Sequence, residues 1–146
     1  MTHLMESSRF GTLEIADESV IEFPAGLIGL GGHRYALLAR TEDAAFQWLH
    51  ALDEPDVALP VTDPFTFFPG FEVRLSDDEA ARIGITDPDR ADVLVIVRAA
   101  EELQHFSVNL LAPILIADGT GFQVINEAPD APVRAPLLAG LAERAA

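Results

Sequence analysis

The 146-residue sequence contains no cysteine and no lysine; all nine of its basic side chains are arginine. Without cysteine there is neither a disulfide nor a thiolate metal site. Without lysine there is no phosphate-binding loop of the G-K-[ST] type. No apolar run approaches the roughly 18–20 residues that a bilayer-crossing helix needs. The first ten residues carry Glu6 and Arg9 and lack an apolar core, so no secretory leader is expected and the cytoplasm is the expected location. Patterns for catalysis are missing too. The histidines His3, His33, His50 and His105 stand singly, with no H-x-H or H-E-x-x-H spacing, and there is no G-x-S-x-G elbow. The paired acids Asp53/Asp56 and Asp77/Asp78 have no partner group that would set them to work, so neither a catalytic residue nor a cofactor or metal is expected.

Positive charge is scarce. Nine arginines face 24 acids, a formal net charge of −15, about twice the upper end of what a small domain needs for solubility. Direct nucleic-acid binding requires a basic footprint and is excluded on this ground. A basic protein partner suits such a chain. With 49% hydrophobic residues, the length is that of one domain with a substantial core.

Aromatic residues are concentrated in one place. Val61 to Leu75 sets Phe65, Phe67, Phe68 and Phe71 between Pro64, Pro69 and Gly70. The prolines fix their own φ and push Asp63 and Phe68 toward extended geometry, which predicts a short, stiff connection rather than a helix. Phe65 and Phe71 are the choices for core. Phe67 or Phe68 at the apex, with Glu72 beside them, are the choices for a partner-binding surface.

Around this stretch the chain reads as short strands. Residues 1–8 are expected to be disordered. Period-two alternation predicts strands over 9–15, 20–23, 34–40 and 46–52, with acidic turns at 17–19, 41–43 and 53–56. The glycine-rich run 25–32 lacks the βαβ context of a nucleotide-binding loop. Ser76 and Glu79 are spaced as a capping box, predicting one short helix near 77–83 that Gly84 stops. Another turn is expected at 86–89. Residues 91–98 form the most continuous apolar run and predict a central strand. A long strand over 106–117 is expected to be broken at Pro113, with Asn109 structural. Asp118 to Gly121 predicts a hairpin turn into a return strand over 122–126. Leu137, Leu138 and Leu141 have helical spacing, so the tail is expected to dock as a helical turn or to fray. The pattern defines an all-β, mostly antiparallel, barrel-like single domain.

Several segments carry a resemblance. D-P-F-x-F-F-P (63–69) followed by Phe71 and Glu72 resembles the flagellar assembly factor FliW family. So do F-G-x-x-E-I (10–15), I-x-F-x-x-G (21–26), N-L-x-A-P-I (109–114), G-x-Q-V-I (121–125) and R-x-P-L (134–137). They keep the family's order, giving a FliW-like barrel domain over 9–137 with a tail at 138–146. The chain departs from the family in carrying Leu30 where an aromatic is usual. The resemblance implies a monomeric, non-catalytic protein that binds flagellin in the cytoplasm and also binds the CsrA-type RNA-binding repressor of flagellin synthesis. Secretion of flagellin then frees the factor to sequester the repressor. Two other classes fit the residues: a small-ligand-binding β-barrel and another kind of acidic protein-interaction module.

Overall fold

In the computed structural model the described residues are 2–27, 33–38, 46–85, 90–129 and 131–138. The turns expected at 41–43 and 86–89, most of the glycine-rich run and residues 139–146 lie outside them. The chain opens with a hairpin of β1 (Thr2–Ser7) and β2 (Gly11–Ala16). Next come β3 (Val20–Glu22), β4 (Arg34–Leu38), β5 (Gln47–Ala51) and β6 (Ala58–Thr62). Two helical segments follow, α1 (Pro64–Phe67) and α2 (Asp77–Ile83). The remaining strands are β7 (Asp92–Arg98), β8 (Ser107–Val108), β9 (Ile114–Ala117), β10 (Thr120–Gln123) and β11 (Ala135–Pro136).

Seven of these strands close into a barrel in the order β7-β6-β5-β4-β3-β10-β9, with β9 pairing back onto β7 through Asp92↔Ile116, Val93↔Leu115 and Leu94↔Ile114. Closure leaves no free edge within the wall. The β3–β10 pairing is parallel; the others are antiparallel.

Period-two alternation sorts the side chains to the two faces. Ile21, Tyr35, Leu49, Val61, Leu94 and Ile114 fill the interior around Phe23, which is fully buried. The outward residues are apolar as well, because the wall is covered. Met5 and Ile15 of the hairpin pack on Ala36, Ile83 of α2 packs with Leu115 and Val124, and Phe67 packs on Val95, Val97 and Val108. This double burial explains why β7 reads as a continuous apolar run. Inside the barrel, a Cβ on Gly121 would lie 2.5 Å from the Phe23 ring, so only glycine fits beneath that ring.

Local signals placed several elements as the sequence predicts. The Ser76 hydroxyl accepts from the Glu79 N–H at 3.1 Å and caps α2, which stops at Gly84 in the left-handed region. The β9–β10 hairpin turns at Asp118–Gly119, with both residues at positive φ. Pro113 lies in a break rather than within a strand. Asn109 makes the turn there, its Oδ1 accepting from the Leu111 and Ala112 N–H groups at 3.1 and 3.0 Å.

Three expectations are corrected, at residues 1–8, at 106–117 and in the aromatic stretch. Residues 1–8 are not a disordered start, since Thr2–Ser7 form β1; its buried positions are Met5 and Ser7, too weak an apolar alternation to read alone. The strand expected over 106–117 divides into β8, which pairs with β7 and β11, and β9, which pairs with β7 and β10. Ala135–Pro136 form β11 against β8, and the Leu137 N–H donates to the Phe106 carbonyl with its side chain fully buried, while most of the helical turn expected from Leu137 to Leu141 lies outside the described residues. The aromatic stretch contains one helical turn, α1. Asp63 is its N-cap, accepting from the Phe65 N–H at 2.9 Å, and Pro64 occupies the first helical position. An Asp-Pro pair suits a helix start as well as a turn.

Candidate functional site

The helical turn decides which aromatic rings face solvent. In a helix, residues i and i+3 share a face; Pro64 and Phe67 are therefore buried together and Phe65 is turned outward. Phe67 is 7% exposed and stacks on Phe46 with ring centroids 6.0 Å apart. Phe65 is 44% exposed and meets Phe71 edge-on at 5.6 Å. Phe68 and Phe71 are half-buried against the same outer cluster. The expected exposure is thus reversed for two rings: Phe65 is the surface ring and Phe67 belongs to the core. Phe68 and Glu72 keep accessible surface, and Glu72 pairs with Arg74 at 2.9 Å. That pair is exposed on both sides and contributes little to stability.

Asn126 holds this segment in place, and sequence reasoning gave it no role. It is buried, and its Oδ1 accepts from the Arg74 and Ala128 N–H groups. Its Nδ2 donates to the Glu72 and Leu110 carbonyls. One side chain therefore ties the end of the aromatic segment to two other parts of the chain. Its one sequence signal is a polar amide at the end of an apolar strand.

The titratable groups considered for chemistry do not converge. His50 is fully buried; its Nδ1 lies 2.8 Å from the Ala51 carbonyl and its Nε2 2.7 Å from the Ser7 hydroxyl. That carbonyl can only accept, so Nδ1 carries the proton and Nε2 accepts from Ser7. The Ser7 oxygen in turn accepts from the Arg9 and Phe10 N–H groups, which anchors the hairpin tip over β5. Phe10 meets Trp48 edge-on, and the Arg9 guanidinium lies 4.4 Å from the Trp48 ring centre. His33 bonds the Phe23 carbonyl, His3 contacts Asp17, and His105 lies 3.9 Å from Glu102. Among the described residues, no group of three or more His, Asp or Glu could hold a metal ion, and no helix is long and apolar enough to cross a membrane.

Among the described residues, three titratable groups are displaced from their ordinary range: Tyr35, Glu79 and Arg82. Burial, reinforced by the nearby Glu54 carboxylate, raises the Tyr35 phenol. The hydrogen bond from Arg82 lowers the Glu79 carboxyl against a smaller opposing effect of burial, the Ile125 N–H adds a lesser lowering, and the same Arg82–Glu79 bond raises the Arg82 guanidinium. All three belong to the structural frame. Glu79 faces Arg82 and Ile125, so it joins α2 to the chain beyond β10.

The described residues form a closed barrel with an aromatic segment packed against its outer face. The family model described as FliW protein matches residues 4–137. The flagellar assembly factor FliW of Desulfitobacterium hafniense (strain Y51) is 37% identical over 113 residues, covering 77% of this chain and 74% of that protein. The flagellar assembly factor FliW of Azoarcus sp. (strain BH72) is 38% identical over 119 residues, covering 77% and 82%. A crystal structure of the flagellar assembly factor FliW superposes with a TM-score of 0.81 at 25% identity, covering 92% of this chain and 96% of that one. The chain belongs to the FliW family of flagellar assembly factors.

Proposed function

We propose that this chain is a non-catalytic, monomeric flagellar assembly factor that acts in the cytoplasm by binding proteins. It takes flagellin as one partner and a CsrA-type RNA-binding repressor of flagellin synthesis as the other. Binding of the repressor relieves translational control, and release from flagellin makes the factor available for it. The observation that carries this reading is the family match over residues 4–137. The charge supports it, because a −15 chain attracts a basic regulator and repels the mRNA that the regulator would hold.

The partner surface proposed here is the aromatic segment, with Phe68 and Glu72 retained and Phe65 in the place first given to Phe67. Rings held by Pro64, Pro69 and the helical turn are pre-organised and lose little entropy on binding. The test is co-purification of the tagged chain from flagellated cells, read by mass spectrometry. Flagellin and the regulator are the expected companions. Recovery of neither overturns the proposal.

A further inference from the structure

Among the described residues, one end of the barrel holds a recess of about 520 Å3. Its apolar lining includes Ile21, Leu37, Leu94 and Ile116, interior-cluster residues of β3, β4, β7 and β9. Phe65 of α1 stands at the same mouth with nearly half its surface in solvent. The lining residues that carry charge, among those described, are both acids, Asp63 and Asp92. Asp92 is exposed and makes no ion pair among the described residues.

Apolar surface left in water is unfavourable in proportion to its area, and a recess of this size lies within the range of binding sites. The acidic rim narrows the choice of occupant. A small anionic amphiphile is repelled by two carboxylates and by a net charge of −15, and a neutral one gains nothing from them. A protein segment with an apolar face flanked by cations uses every feature of the mouth. We infer that this barrel mouth is a docking site for an amphipathic, positively charged protein segment. Its apolar side chains enter over Ile21, Leu37, Leu94 and Ile116, in contact with Phe65, while flanking Arg or Lys groups meet Asp63 and Asp92. The recognition follows the helix-in-groove pattern, with anchors at i, i+3 and i+4. The inference shares Phe65 with the partner surface proposed above and deepens that reading by naming the chemistry of the docked segment; a failed peptide titration with flagellin or the regulator still co-purifying sinks this inference alone.

The test uses the full chain with labelled Ile and Leu methyl groups, titrated with a synthetic helix-forming peptide. The peptide carries leucines at i, i+3, i+4 and i+7 with arginines on their flanks. Methyl resonances of Ile21, Leu37, Leu94 and Ile116 are expected to shift, while that of Leu4, the most exposed large hydrophobic among the described residues, stays still. Phe65→Ala should weaken binding roughly tenfold or more, as for an aromatic anchor, with the melting temperature nearly unchanged. Asp92→Asn should weaken it less and flatten its salt dependence. Absence of shifts in the four mouth methyls, or equal shifts at Leu4, overturns the inference. So does equal binding of the peptide with glutamate in place of arginine. If decanol moves the four methyls and the peptide does not, the mouth is a small-ligand site and the inference fails.

Discussion

Phe65 and Phe67 lie two residues apart on the same helical turn and are separated by burial alone, which makes a paired truncation informative. Phe67→Ala removes a ring that is 7% exposed, stacked on Phe46 and packed on Val95, Val97 and Val108. Such a loss should cost about 3–5 kcal/mol. For a chain of this length each kcal/mol corresponds to a shift of about 2–4 °C, so the midpoint should fall by roughly 6–20 °C. Phe65→Ala removes a ring that is 44% exposed and has Phe71 as its ring partner. Its cost should stay within about 1 kcal/mol, the scale of one partly exposed aromatic contact. The assay is thermal unfolding of both variants beside the parent, followed by far-UV circular dichroism. A Phe67→Ala chain that melts within a degree or two of the parent refutes the helical turn as the cause of the exposure pattern. So does a Phe65→Ala chain that loses more stability than Phe67→Ala.

Three further outcomes are expected. Tyr35 is fully buried, and its hydroxyl has no partner among the described residues, so Tyr35→Phe should stabilise by up to about 1–3 kcal/mol in denaturant melts. Because its phenol is raised above 10.0, the folded state holds the proton longer than the unfolded chain. The parent should therefore lose stability as the pH rises past that value, and Tyr35→Phe should lose less. Glu79 has the opposite sign: its carboxyl is lowered, so its contribution is present above the ordinary carboxylate range and fades as pH falls through it. Glu79→Gln should show a shallower acid decline than the parent. Ser7→Ala leaves His50 Nε2 and two backbone N–H groups without their partner, and should cost about 1–3 kcal/mol and raise hydrogen exchange along β1.

The fold was legible wherever the signal was local. Ser76, Glu79 and Gly84 lie within one helix and mark its ends by their own hydrogen bonds. Asp118–Gly119 lies within one turn. The continuous apolar run of β7 announced a strand covered on both faces. What was illegible depended on distant partners. β1 has so little apolar alternation that it is recognisable only once β2 is opposite it. The tail's leucines have helical spacing, yet Ala135 and Pro136 meet β8, and β8 becomes a separate strand because Asn109 turns the chain. At the candidate site, Asp63-Pro64 is a valid start for a turn and for a helix, and that single ambiguity exchanged the faces of Phe65 and Phe67. Asn126 stayed hidden because its four bonds reach residues from Glu72 to Ala128, which no spacing rule connects.

The central claim is that this FliW-family chain works by binding flagellin and a CsrA-type repressor. The most direct measurement is binding of the purified chain to each partner by calorimetry, repeated at low and high salt. The account predicts a stoichiometric complex with flagellin and one with the repressor, the second weakening steeply as salt screens the charge. Heats of dilution alone for both partners, at low salt where charge attraction is greatest, would contradict it.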